Sequence, residues 1–323
     1  VLGLGDERDS MMQTTEDYLY LPAAALEAMQ IRPTDLADAI ERALHAKAEG
    51  RLHVSPKSAI LPGEGRYMMS TLAVGDDGLT LVKQDTLSPV NTDRDLATNN
   101  CAIMVLDAET GYMRAIWGAN WVTAHRTAAL SAVAARRLAD PASENIAFVG
   151  CGVQARSHLL AFRDMFPLKR VFAVGRGQSN VEALCTFARQ HGMEAEAASP
   201  EDALRAADIV VTSVTLDYTI KPFLDARWLK QNAFAAITDL CIPWEDGSLG
   251  AFGIVVVDDM EQERSSEKPM LPADQITGDL TDLVSGRLPT RDMTKPAAFA
   301  FRGIALGDYA AAALALRKAE AAG

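Results

Sequence analysis

The chain has no surplus of basic residues: 31 Lys and Arg stand against 43 Asp and Glu, for a formal net charge of -12. A nucleic-acid scaffold needs a basic footprint to neutralise phosphates, so that class of partner is not expected, and the charge reads as solubility. Cysteine is scarce. Cys101, Cys151, Cys185 and Cys241 form no CxxC pair and match no zinc spacing. The five histidines are scattered, without an HExxH cluster, so no metal is expected. Reduced thiols fit a cytoplasmic protein. No apolar run approaches the roughly 20 residues of a membrane helix. Val1 to Ser10 lack a basic segment followed by an apolar one, so no secretory signal is expected. There is no internal repeat and no low-complexity tract.

What is present is an ordinary apolar complement, 49% of 323 residues, enough for two cores. Pro22 to Glu49 reads as two helical stretches, with Pro33-Thr34-Asp35 as break and cap. Short strand-like runs follow, Tyr67 to Met69, Leu79 to Lys83 and Ala102 to Leu106, split by turn residues such as Gly75-Asp76-Asp77-Gly78. Val122 to Leu138 is apolar at helical spacing. Beyond it, strands (Asn145 to Val149, Arg170 to Val174, Asp208 to Thr215, Ala233 to Ile237, Gly253 to Val257) alternate with helices (Gln154 to Phe166, Ser179 to His191, Pro200 to Ala206, Ala226 to Lys230). Continuous Val/Ile/Ala runs are the pattern of strands covered on both faces. The fold class expected is α/β: a Rossmann doubly wound parallel sheet plus an α+β N-terminal domain. The division expected is 1–125, then 126–304, with a C-terminal helix over 305–323.

The strand Asn145 to Val149 runs into Gly150-Cys151-Gly152-Val153-Gln154-Ala155, a GxGxxA turn. Glycine permits the tight turn and the approach of a pyrophosphate, Ala155 permits close packing, and the helix N-terminus faces the phosphates. The context of strand, turn and helix makes a dinucleotide site the expected reading. The second strand ends in Val174-Gly175-Arg176, with no acid to read a ribose hydroxyl. Arg176 is suited to a 2′-phosphate, which favours NADP(H) over NAD(H).

Three cations precede this unit: Lys57 after Ser55-Pro56, Lys83 at the end of an apolar run, and Arg126 near the start of a largely apolar helix. Such groups suit a substrate carboxylate. Together with Asp107-Ala-Glu-Thr-Gly111, Val122-Thr-Ala-His-Arg126-Thr-Ala-Ala, Val149-Gly150-Cys-Gly152-Val-Gln154-Ala155-Arg-Ser-His158 and Gly278-Asp-Leu-Thr-Asp-Leu-Val-Ser-Gly286, they resemble the ornithine cyclodeaminase/μ-crystallin family from about Leu21 to Lys318.

That resemblance implies a homodimer built through the N-terminal domain. It implies an NAD(P)-dependent enzyme that moves hydride at the Cα of an amino or imino acid. Lys83 and Arg126 would bind the substrate carboxylate, with Lys57 where the family commonly has arginine. Lys83 would also take part in catalysis. Asp239 matches the aspartate that cyclodeaminases use near the substrate amine, and would serve both catalysis and the cofactor side. Thr215 and Gly303 join Gly150, Gly152, Val153, Gln154, Ala155 and Arg176 on the cofactor side. Arg302 stands where a small hydroxyl residue is usual, and would bring an extra positive charge to the substrate pocket. The alternatives are ornithine cyclodeamination, and a non-catalytic binder of a dinucleotide or small ligand.

Overall fold

The computed structural model describes residues 18–322. In the N-terminal half, a two-residue alternation decides the architecture. β1 (Leu19–Leu21) leads into α1 (Ala23–Ala28) and α2 (Pro33–Ala48). Then come β2 (Leu52–Val54), β3 (Ser58–Gly63), β4 (Arg66–Gly75), β5 (Leu79–Leu87), β6 (Asn99–Asp107) and β7 (Met113–Gly118). They form one seven-stranded sheet in the order β1-β7-β6-β5-β4-β2, with β3 paired to β4. Only the pair β1 and β7 is parallel.

Register sorts the side chains of this sheet. Ala73, Leu81, Val105 and Ala115 lie in one cross-strand row, and Thr71, Lys83, Ile103 and Trp117 in the next; all are buried. The intervening row, Leu72, Val82, Met104 and Ile116, points to the other face; Leu72 is exposed and the other three are partly buried. Lys83 is therefore on the buried face for the same reason as Leu81: successive residues of a strand alternate faces. The pairing of β7 with β1 and the all-exposed strand β3 carried too weak an alternation to be expected. Pro33 is the first helical residue of α2 rather than part of a cap, and Asp35 pairs instead with Arg32 outside the helix. Proline suits that position because its missing N–H would be unsatisfied there anyway.

α3 (Asn120–Leu138) connects this sheet to the second unit. That unit comprises β8 (Asn145–Val149), α4 (Val153–Arg163), β9 (Arg170–Val174), α5 (Gln178–Gln190), β10 (Glu194–Ala197), α6 (Pro200–Ala206), β11 (Ile209–Thr212), β12 (Phe234–Ile237), β13 (Ile254–Val257), α7 (Met260–Ser265), β14 (Gly278–Asp279), α8 (Leu280–Val284) and β15 (Ala297–Ala300). Its eight strands are all parallel, in the order β10-β9-β8-β11-β12-β15-β13-β14. The continuous apolar runs are explained by two cores. Ile146, Phe148, Phe234 and Val256 face one, and Ala147, Val149, Ala235 and Val257 face the other. The strand order reverses between β8 and β11, and ligands of open α/β sheets bind outside the strand ends at such a point.

The division expected at 125/126 falls inside α3, one continuous helix that packs on α2, α4 and β6. The C-terminal helix expected over 305–323 is α9 (Ala305–Ala322), which returns to lie on α2, α3, β4 and β5. Among the described residues, no helix is long and apolar enough to cross a membrane.

Candidate active site

At the carboxyl end of β8 the chain turns through Gly150, whose φ is +98°. A Cβ there would lie 2.5 Å from the Ser213 carbonyl oxygen, so only glycine lets β8 pass the loop after β11. At Gly152 a Cβ would meet nothing within 4 Å, which leaves an open face in front of the first turn of α4. Gly152, at its N-cap, has no side chain to cap that turn, and Val153 is 58% exposed on it. The free N–H groups of the turn suit an anion. Ala155 is fully buried, and the side-chain oxygen of Gln154 is buried without a partner among the described residues. His158, one turn on, ties α4 to α3. Its Nδ1–H donates to the Gln154 carbonyl at 2.8 Å and its Nε2 accepts from Ser131 at 2.9 Å. Burial holds it down to about 4, so it is neutral.

Arg176 is exposed at the end of β9. A Cβ on the preceding Gly175 would lie 3.0 Å from Val181 and 3.3 Å from Cys151, so a larger residue there must displace them. Thr215 lies beyond the end of β11, exposed in the following loop rather than in the strand.

Asp239 follows β12 and is buried. Thr212 donates to its Oδ1 at 3.0 Å and the Val214 N–H to its Oδ2 at 3.1 Å. Burial outweighs these bonds and pushes the carboxyl up to about 7. The chain then turns sharply, with Leu240 and Cys241 both at positive φ. Asp239 thus braces the loop after β11, at the switch point of the sheet.

The cations converge on the turn after β15. Arg126 reaches it from α3 and Lys57 from the segment between β2 and β3, and Lys83 on β5 is joined to Arg126 through Asp308. A Cβ on Gly303 would lie 3.2 Å from Lys57 Nζ and 3.4 Å from Arg126 Nη1. Lys83 and Arg126 are 1% and 4% exposed, a burial that cations tolerate only when paired. The partner is Asp308 on α9: its Oδ1 accepts from Lys83 Nζ at 3.0 Å and from Arg126 Nε at 2.9 Å. Asp85 lies 3.5 Å from Lys83 on its other side. The Arg126 guanidinium stacks over Phe301 at 5.0 Å, and its Nη1 is buried with no hydrogen-bond partner among the described residues. Burial alone would raise Asp308, but Arg126 and Lys83 hold it below the ordinary carboxylate value.

Lys57 Nζ donates to the Arg302 carbonyl, and among the described residues it has no acidic group within ion-pair distance. Burial lowers it to about 8; Arg126 and Lys83 press it further down, while Asp258 and Asp308 oppose the fall. Asp258, at the end of β13, accepts from the N–H groups of Arg302 and Gly303 and so fixes the turn. Burial pushes its carboxyl up to about 6.

The structure therefore brings Lys57, Lys83, Arg126 and Gly303 together. It does not bring the Arg302 guanidinium to them. That group donates to Glu263 at 2.9 Å and to the Lys268 carbonyl at 2.8 Å, so its charge is already paired, and the extra cation expected at this position is absent from the cluster. Sequence reasoning missed Asp85, Asp258 and Asp308. Asp85 had a signal, being two residues from Lys83 and so on the same face. Asp308 had only its isolation in an Ala-rich helix.

The model of the ornithine cyclodeaminase/mu-crystallin family matches residues 21–322. The ketimine reductase mu-crystallin of Mus musculus is 28% identical over 251 residues, covering 76% of this chain and 78% of that protein. The structure of Thermococcus litoralis Δ1-pyrroline-2-carboxylate reductase in complex with NADH and L-proline superposes with a TM-score of 0.84 at 22% identity, covering 93% of this chain and 97% of the other. An archaeal alanine dehydrogenase dimer with bound NAD gives the same TM-score at 24% identity, covering 94% and 96%.

Proposed function

The chain belongs to the ornithine cyclodeaminase/mu-crystallin family, and from that premise we propose that it is an NAD(P)-dependent reductase of imino acids, working between the Cα of an amino or imino acid and a nicotinamide. One observation carries this reading. Lys57 Nζ and the unpartnered Arg126 Nη1 flank the same small residue, Gly303, at the carboxyl edge of a parallel sheet, with Lys83 bound to Arg126 through Asp308. A buried donor without a partner, as Arg126 Nη1 is, is costly unless a ligand fills it, and a carboxylate is a ligand that it and the neighbouring Lys57 ammonium fit.

Gly150, Gly152 and the first turn of α4 fit a pyrophosphate, and Val153, Gln154 and Thr215 border that turn and the adjoining loop. The nicotinamide cofactor supplies the hydride when bound. Lys57, Lys83 and Arg126 hold the substrate carboxylate and thereby orient Cα. Asp239 is the group we assign to the proton at the substrate nitrogen. Its carboxyl sits near neutrality, where a general acid works best, and two hydrogen bonds leave part of its acceptor capacity unused. With the Arg302 charge paired to Glu263, the pocket suits a monocarboxylic imino acid better than one with a second acidic group.

For the cofactor, exposed Arg176 after a crowded Gly175 supports NADP(H) over NAD(H). For assembly, the row Leu72, Val82, Met104 and Ile116 is an apolar sheet face left partly exposed by the described residues, which supports a homodimer joined there. A panel of cyclic and linear imino acids, with NADH and NADPH in turn, tests the reading by following the absorbance of the reduced nicotinamide. Turnover of at least one imino acid is expected, with kcat/KM higher for NADPH and reduced about 10- to 150-fold in Arg176→Ala. No turnover of any of them, with ornithine converted instead, would replace reduction by cyclodeamination.

A further inference from the structure

Asp308 stands 225 residues from Lys83 and 182 from Arg126, yet one of its oxygens bonds both. Two buried cations brought to one place repel each other, and each has a flexible stem. The shared oxygen removes that freedom. It takes Nε of Arg126, which leaves the Nη edge for another ligand, while Phe301 fixes the guanidinium plane. The approach of α9 is itself built for this contact. A Cβ on Gly307 would lie 2.8 Å from Leu130 Cδ1 and 3.4 Å from Arg126 Cδ, so the glycine before Asp308 lets the helix settle onto the arginine stem.

We propose that Asp308 is a positioning residue of the substrate site, holding Lys83 and Arg126 in the one arrangement in which both present donors to a single substrate carboxylate. This rests on the assignment of those two cations to carboxylate binding. A charge-damping role makes the opposite prediction. If Asp308 only offsets positive charge, Asp308→Asn adds one net positive charge and tightens the binding of an anionic substrate. If Asp308 positions, the same change lets Lys83 and Arg126 separate, and binding weakens.

The experiment is steady-state kinetics of Asp308→Asn on an imino acid that the wild type reduces, with pH profiles and direct titration of L-proline onto the cofactor-loaded protein. We expect KM and the L-proline dissociation constant to rise about tenfold or more, with a smaller fall in kcat. A second readout is the alkaline limb. Lys57 is faced by Asp258 and Asp308 and by Arg126 and Lys83, so loss of the Asp308 charge should move the limb to lower pH, which loss of packing alone would not do. If the asparagine variant does not fold, Asp308→Glu decides: it keeps the charge but displaces the shared oxygen, and should also raise KM. An unchanged or lower KM in a folded variant overturns the proposal. Arg126→Ala tells that failure from failure of the underlying reading: full activity in Arg126→Ala sinks the carboxylate site itself, whereas an impaired Arg126→Ala beside an unaffected Asp308 variant sinks only the role of Asp308.

Discussion

At the end proposed for the dinucleotide, the decisive atoms belong to the main chain. Gly150, Gly152 and the first turn of α4 lie within one short segment, and their work is to leave space and free N–H groups. At the other end, the decisive atoms belong to long side chains from β5, α3 and the segment before β3, two of them held by one carboxylate far away in sequence, Asp308 on α9. The first end is a property of a local conformation and the second of the whole fold. A substitution should therefore fail in different ways at the two ends.

The largest effect is expected at the side-chain end. Arg126→Ala should lower kcat/KM at least about 100-fold, because a buried carboxylate loses its charge-assisted partner and Asp308 loses one of two cations. Arg126→Lys should stay clearly impaired, since an ammonium cannot both reach Asp308 and offer a planar edge. Cofactor affinity should change little in either. A matching loss of cofactor binding would mean that the two ends are not separable.

The same contrast explains what could be read before the structure. Gly150, Gly152 and Ala155 declare themselves because a turn of fixed geometry needs those residues at fixed spacing. Lys83 and Arg126 stood out as cations in apolar surroundings. Asp308 could not be found from spacing, since nothing local distinguishes an aspartate in the first turn of a helix from an ordinary surface residue. Arg302 misled because its position was visible and its partner, Glu263, was not. β15 was hidden for a related reason: Ala297 to Ala300 has little strand propensity, and it is a strand because β12 and β13 flank it.

A middle-sized effect sharpens the comparison inside the main-chain end. Gly150→Ala forces a side chain into positive φ and against the Ser213 carbonyl, so thermal stability should fall along with cofactor affinity. Gly152→Ala meets no atom of the protein, so its melting temperature should stay near wild type while the cofactor dissociation constant rises about tenfold or more. Thermal melts and cofactor titrations of the two variants give the answer. Equal losses of stability would mean that the Gly152 face is not the space kept for the pyrophosphate.

The smallest effect is the most selective, because it changes one charge only above neutral pH. Lys57 is lowered to about 8, chiefly by burial, so it is a cation at pH 7 and largely neutral at pH 9. If it helps to hold the substrate carboxylate, kcat/KM should fall above pH 8 as that cation is lost. One unit above its pKa, about a tenth of the lysine remains charged, so the contribution of this contact should drop about tenfold. Arginine stays protonated throughout this range. Lys57→Arg should therefore remove the alkaline limb, provided the longer side chain is accommodated at the Arg302 carbonyl. The useful quantity is the ratio of kcat/KM between variant and wild type at each pH. Ionisations of the substrate nitrogen, of Asp239 and of Asp258 enter both enzymes and largely cancel. A ratio that climbs between pH 7 and pH 9 assigns the limb to Lys57 and keeps it in the carboxylate site. A flat ratio would take Lys57 out of substrate binding and leave it as a brace for the turn at Gly303.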